Sequence, residues 1–268
     1  MTTFQPTPTS TYPKTQQQPL PTMYDLPSDN PEDPGLPDEF HDWQPQLLSE
    51  TFVPTTYPPE QVLTAKDLNL YFDAQKPGLY KRPDWFGVVG VPRVVDEGKG
   101  RRSYVFWQEG RAPTVVVELL SRNTQESDQG LTPRGKETPT KWEVYETILR
   151  VPYYVVFDGA GDTLRFFQLQ GESYRELAEP KLWVEGLQIG LGLWQGTFVG
   201  VERQWLRWYD AQGNWIPTNA ERAAMEQQRA EVAEQRAQME QQGRQLAEER
   251  AERLAQLLRA QGIDLDDI

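Results

Sequence analysis

The chain contains no cysteine, which excludes both a disulfide framework and a thiolate metal site. It has one histidine, His41, lying in an acidic stretch, so neither a multi-histidine metal site nor a Ser-His pair can be assembled. No segment approaches the roughly 20 apolar residues of a membrane span. The N-terminus lacks the basic-then-apolar order of a signal peptide, and the expectation is a soluble, cytoplasmic protein without membrane contact. A phosphate-cradling Gly-x-x-x-x-Gly-Lys loop is also missing. Acid, by contrast, is abundant: the 268 residues carry a formal net charge of -13. Such a balance opposes non-specific nucleic-acid binding, which neutralises phosphates with Lys and Arg. The excess is unevenly placed, however. Asp25, Asp29, Glu32, Asp33, Asp38, Glu39 and Asp42 crowd the N-terminal part, and Asp264, Asp266 and Asp267 close the chain. Between them Lys81, Arg82, Arg93, Lys99, Arg101 and Arg102 form a local basic group.

The composition divides the chain into three. Residues 1–40 are rich in Thr, Gln and Pro, then Pro and acid; with few apolar anchors they are expected to be disordered. Residues 43–215 hold the apolar segments of one α/β domain. A short helix is expected near His41 to Val53, and a second over Ala65 to Gln75, with Thr64 as its cap. Strands are expected at Trp85–Val91, Ser103–Trp107, Thr114–Leu120, Tyr153–Phe157 and Thr163–Leu169, with a hairpin turn at Gly159, Gly161 and Asp162. The helical spacing of Tyr145, Ile148 and Leu149 places a crossover helix between the third and fourth of these. Trp183 to Tyr209 reads as an aromatic mini-core of short strands. Residues 219–261 turn to Ala, Glu, Gln and Arg, with Met225, Val232, Met239 and Leu246 recurring every seven residues. Polar Gln228, Gln235 and Gln242 at the companion positions make this a long solvated helix or weak coiled coil, a surface for homo- or hetero-oligomer formation.

One residue stands out. Glu118 interrupts the apolar run Thr114 to Leu120, which reads as a strand buried on both faces. A carboxylate there is costly unless a cation, a metal or hydrogen bonds compensate it. Asp84 follows Pro83 and directly precedes another such run, Trp85 to Val91. Two acids on neighbouring strands would form an oxygen-rich pocket suited to Mg²⁺. Taken singly, each acid is better explained as a strand-end or salt-bridged residue; it is the pair that points to chemistry.

Arg82-Pro83-Asp84, then Val117 to Ser121 with Thr124 and Asp128, then Lys141 with Tyr145, then Val151-Pro152-Tyr153-Tyr154 running on to Asp158, occur in an order that resembles the Uma2 (DUF820) family. This family is a cyanobacteria-rich branch of the PD-(D/E)xK restriction-endonuclease-like superfamily, and the resemblance covers residues 45 to 215. It implies a mixed sheet flanked by helices, with Asp84 and Glu118 as ligands of Mg²⁺ or Mn²⁺ and DNA as substrate. The superfamily's lysine stands two residues after the acid, where this chain has Leu120. Relatives supply it from the following helix, where Lys141 matches a Lys-x-x-x-Tyr spacing. Thr138-Pro139-Thr140 offers a cap that puts Lys141 in the first helical turn. A cation there opposes the helix dipole by about 0.3–1 kcal/mol, which favours a role at the site over one in helix stability. Lys136 is the rival, in a Gly- and Pro-rich segment able to fold over the pocket. Asp128 is a further ligand, an orienting acid, or a solvated loop acid; Asp158 is assigned to a turn or an ion pair, and Ser121 to local backbone bonding. Arg122 replaces the family's usual proline after the serine.

Two functions follow as expectations. One is a metal-dependent endonuclease hydrolysing DNA phosphodiesters through Asp84, Glu118 and Lys141. The other is a catalytically inactive nuclease-fold scaffold that recruits partners through the C-terminal helix.

Overall fold

A computed structural model describes residues 38–95, 100–120, 138–159 and 163–260. The leader before residue 38 and the loop carrying Ser121, Asp128 and Lys136 lie outside the described residues, as do Lys99, the tip of the hairpin turn and the acidic C-terminus.

Helix α1 (Phe40–Thr51) opens the domain, followed by β1 (Val62–Lys66), β2 (Leu70–Tyr71), β3 (Tyr80–Lys81) and β4 (Trp85–Val89). After β5 (Tyr104–Val105) and the single-turn α2 (Phe106–Glu109) come β6 (Val115–Leu119) and α3 (Lys141–Glu143), which widens into a π turn over Val144–Ile148. Strands β7 (Tyr153–Asp158), β8 (Thr163–Gln170) and β9 (Ser173–Leu177) complete a six-stranded sheet in the order β1-β4-β6-β7-β8-β9. Only β6 and β7 in it run parallel, because α3 lies in the crossover between them. Strands β10 (Lys181–Val184), β11 (Ile189–Phe198) and β12 (Val201–Tyr209) form a separate antiparallel sheet, and α4 (Asn219–Ala260) ends the description.

The two-residue period of a strand sorts the central residues between two cores. Val115, Val117 and Leu119 of β6 join Trp85, the α1 residues Leu47 and Leu48, and the β10–β12 sheet. Val116 joins Phe86, Val88, Val144, Tyr145 and Tyr154 on the other face. Gln44 of α1 fastens the layers, donating to the Leu206 carbonyl at 2.8 Å and accepting from the Leu206 amide at 2.9 Å. Its buried side-chain amide thus satisfies both backbone groups of an edge-strand residue.

Several expectations need correction. No helix spans Ala65 to Gln75: Val62–Lys66 pairs antiparallel with β4, and the chain then turns at Asp67, whose φ of 50° ends the strand. Leu70–Tyr71 in turn pairs with Tyr80–Lys81 and Tyr104–Val105, so sheet pairing overrides the helical spacing of Leu68, Tyr71 and Phe72. Within Ser103–Trp107 only Tyr104–Val105 is extended; Phe106 begins a helical turn closed by Gly110 at φ 71°. The Trp183–Tyr209 region contains strands of 10 and 9 residues, longer than expected.

Helix α4 is fixed to the domain only at its start. Thr218 and Glu221 form reciprocal cap bonds of 3.2 and 2.7 Å, and Glu221 pairs with buried Arg207. Glu50 of α1 accepts from the Asn219 amide through its side chain and from Arg222 through its carbonyl. Beyond that turn nearly every residue is exposed.

Candidate active site

Glu118 shares its strand face with Val116 and therefore points towards the crossover segment rather than towards α1. Its side chain is fully buried. Lys141 Nζ at 2.8 Å and the Asp84 amide at 3.3 Å donate to Oε2, and the Tyr145 hydroxyl at 2.8 Å donates to Oε1. A buried carboxylate persists only with such partners.

Local sequence explains how the helix delivers two of them. Thr140 Oγ1 accepts from the Glu143 amide at 3.2 Å, and Glu143 Oε2 accepts from the Thr140 amide at 2.9 Å. This reciprocal cap starts the helix so that Lys141 is its first residue. Tyr145, four residues on, lies on the same face. The π turn that follows is closed by the Leu149 amide donating to the Val144 carbonyl at 2.8 Å. Lys141 keeps 20% of its side-chain exposure, so its ammonium bridges the buried acid and the outside of the pocket.

Asp84 comes from the other side. Trp85 pairs with Val117 in the β4–β6 register, so the residue before Trp85 stands opposite Glu118. Asp84 Oδ2 accepts from the Leu119 amide at 2.6 Å, and Oδ1 has no hydrogen-bond partner among the described residues. Asp84, Glu118 and Lys141 are thus brought together at one end of the sheet. Asp158 ends β7 just past Phe157, which pairs with Leu119.

Two participants escaped the sequence. The hydroxyl contact of Tyr145 was not assigned, although its four-residue spacing from Lys141 pointed to it. His41, which the sequence showed only as a lone histidine in an acidic stretch at the start of a short helix, is a buried residue of α1. Its Nδ1 lies 2.7 Å from Asp38 Oδ1 and its Nε2 lies 3.3 Å from the carbonyl of Leu119, the residue whose own amide donates to Asp84. Burial alone would lower the pKa of His41, but the Asp38 hydrogen bond and the charge of Asp84 outweigh it and raise it. Asp38 correspondingly falls below the usual carboxylate range, chiefly through its bond to His41. The Asp38-x-x-His41 spacing, with Asp38 also accepting from the His41 amide at 3.1 Å, is a helix-start signature that could have revealed this.

The arrangement offers two hard oxygen ligands and an adjacent cation. Two carboxylates suit a divalent ion that keeps most of its waters. The described residues contain no group of three or more His, Asp or Glu placed to hold a metal, so the fit is that of a two-carboxylate site. The basic group is partly engaged elsewhere: Arg82 pairs with Asp67 at 2.6 Å and Arg101 with Glu109 at 2.7 Å. No described helix is long and apolar enough to cross a membrane.

No curated protein matches the chain. A family model does, over residues 15–195, which takes in β1 to β10, most of β11 and every residue of the cluster around Glu118; its description is "Uma2: Putative restriction endonuclease". With well over half of its length matched, the chain belongs to the Uma2 family, whose fold is restriction-endonuclease-like.

Proposed function

We propose that the protein is a metal-dependent endonuclease that hydrolyses DNA phosphodiesters, with Asp84 and Glu118 as the ligands of Mg²⁺ or Mn²⁺ and Lys141 as the catalytic cation. The observation that carries this reading is the meeting of Asp84 and Glu118 across the β4–β6 pair, with Lys141 Nζ 2.8 Å from Glu118. A bound divalent ion would acidify a water and offset charge developing on the scissile phosphate. The protein's part is placement. Tyr145 and the Asp84 amide hold Glu118 in one orientation, and the Leu119 amide holds Asp84. With a divalent ion held by Asp84 and Glu118, the Lys141 ammonium would serve as a fixed cation beside the attacking water or a phosphate oxygen, stabilising the transition state. Lys136 and Asp128 remain proposed supporting residues, and a reducing cytoplasm suits a chain without cysteine.

The test is cleavage of plasmid DNA by the purified protein with Mn²⁺ or Mg²⁺, alongside Asp84→Ala and Glu118→Ala. Cleavage that persists in either variant, or a wild type that neither binds the metal nor cuts, overturns the reading.

A second reading is a nuclease-fold scaffold without activity, in which Lys141 and Glu118 form a closed ion pair. It is favoured by Leu120 at the strand lysine's position and by the exposed length of α4, a surface for homo- or hetero-oligomer formation. A stoichiometric partner captured through α4, with no cleavage under any metal, selects it.

A further inference from the structure

Helix α4 runs for 42 residues with no buried residue, so its apolar column faces water in the single chain. Met225, Val232, Met239 and Leu246 are each at least half exposed, at 50%, 53%, 66% and 55%. A seven-residue spacing keeps such a column on one stripe of a supercoiled helix. If the column is position a of a heptad, position d falls on Gln228, Gln235 and Gln242. The alternative, with the column at d, would put Arg229, Arg236 and Gly243 into the seam, which buries guanidinium groups. The first assignment holds.

Two independent features then choose the partner and its direction. In a parallel, in-register pair, a faces a and d faces d. Apolar layers alternate with glutamine layers, and each pair of glutamine amides supplies a donor and an acceptor to the other. In an antiparallel pair a faces d, so every glutamine amide is set against Met, Val or Leu without a partner. The flanking charges agree. Arg229, Arg236 and Arg250 occupy e, while Glu231 and Glu252 occupy g. Parallel pairing sets g against the e position five residues further along the other chain, bringing Glu231 to Arg236. Antiparallel pairing sets e against e, where arginine faces arginine.

We infer that α4 docks on α4 of a second copy of this chain, parallel and in register, through Met225, Val232, Met239, Leu246 and the intervening glutamines. This deepens the oligomer reading of α4 given above and is independent of catalysis. Direction has a consequence for layout. A 42-residue helix is roughly 60 Å long, and its first turn is fastened to Arg207 and Glu50. Parallel pairing therefore carries both folded domains at the same end, whereas antiparallel pairing would separate them by the length of the helix. The strict seven-residue column ends at Leu246, because Leu254 and Leu257 lie off it, so the pairing is short.

Because the chain has no cysteine, one introduced thiol is unique. Full-length Met225→Cys (position a) and Gln242→Cys (position d) are equilibrated in a glutathione buffer, each alone and as a mixture. The expected result is efficient disulfide dimer in each alone. Dimer formed only in the mixture shows an antiparallel pair and overturns the inference while leaving pairing through α4 in place. A wild-type chain that sediments as a monomer at high micromolar concentration overturns both. Full-length Arg236→Glu and Glu231→Arg are each expected to weaken association about tenfold, and the double reversal to restore it to within about threefold. A double reversal no better than the singles also counts against the parallel register. Cleavage by the wild type, measured separately, reports on the nuclease reading alone.

Discussion

The amide of Asp84 donates to the Glu118 carboxylate at 3.3 Å, while the amide beside Glu118, that of Leu119, donates to the Asp84 carboxylate at 2.6 Å. Each acid is thus oriented by the backbone of the strand that carries the other. This exchange lies where β4 begins and β6 ends, so it depends on the Trp85–Val117 register. Asp84→Asn should leave the fold intact, since an amide oxygen can still accept from Leu119, yet abolish metal-dependent cleavage. Nicked or linearised plasmid at the wild-type rate would count against the assignment.

Lys141 and Glu118 should respond unequally to removal. Lys141→Met removes the lysine cation that pairs with a fully buried carboxylate, whereas Glu118→Gln leaves a lysine that can reach solvent. Lys141→Met is expected to be the more destabilising in urea unfolding, by about 1–3 kcal/mol. Added Mn²⁺ should recover part of that loss by binding the folded state. Equal midpoints for the two variants would contradict this account of the pair.

The His41–Asp38 pair predicts a pH window. The His41 pKa is raised in the folded state, so its contribution is complete below its unfolded value near 6.5 and is lost as pH rises through the folded value. The Asp38 pKa is lowered, so its contribution is present above 3.8 and is lost as pH falls through the folded value. Thermal unfolding of wild type and His41→Gln from pH 4 to 9 should show the widest gap between these limits. A gap that grows above neutrality would reverse the sign and refute the assignment.

The β11–β12 hairpin turns through Val199 at φ 47° and Gly200 at φ 81°, joining Phe198 directly to its partner Val201. Two positive φ angles define a turn that suits Asn-Gly, and a β-branched residue there is strained. Val199 is 48% exposed, so little packing offsets the strain. Val199→Asn should stabilise the protein by about 1 kcal/mol in chemical denaturation. No change, or a loss, would show that the valine is accommodated.

How much of this was legible in the sequence depended on where the deciding contacts lie. Strands β4, β6, β7 and β8 were readable because their β-branched and aromatic runs are buried on one or both faces. Glu118 drew attention as an acid inside an apolar strand run and Asp84 as an acid just before another, while Lys141 came from the resemblance to the Uma2 family, supported by a cation set against the helix dipole. The Val62–Lys66 strand was not, since its conformation is set by pairing with β4 rather than by its own five residues. His41 was missed for a related reason. A lone histidine among acids looks solvated until α1 is placed against the carbonyl of Leu119, 78 positions away. Asp128 and Lys136 fall outside the described residues.

The cap formed by Thr140 and Glu143 has a kinetic meaning. Glu118 lies in β6 and Asp84 directly precedes β4, both interior strands of the six-stranded sheet, whereas Lys141 is the first residue of a three-residue α turn. Helix ends fray far more easily than central strands exchange. On the proposed reading, fraying of this turn would withdraw the cation while the two acids stay in place.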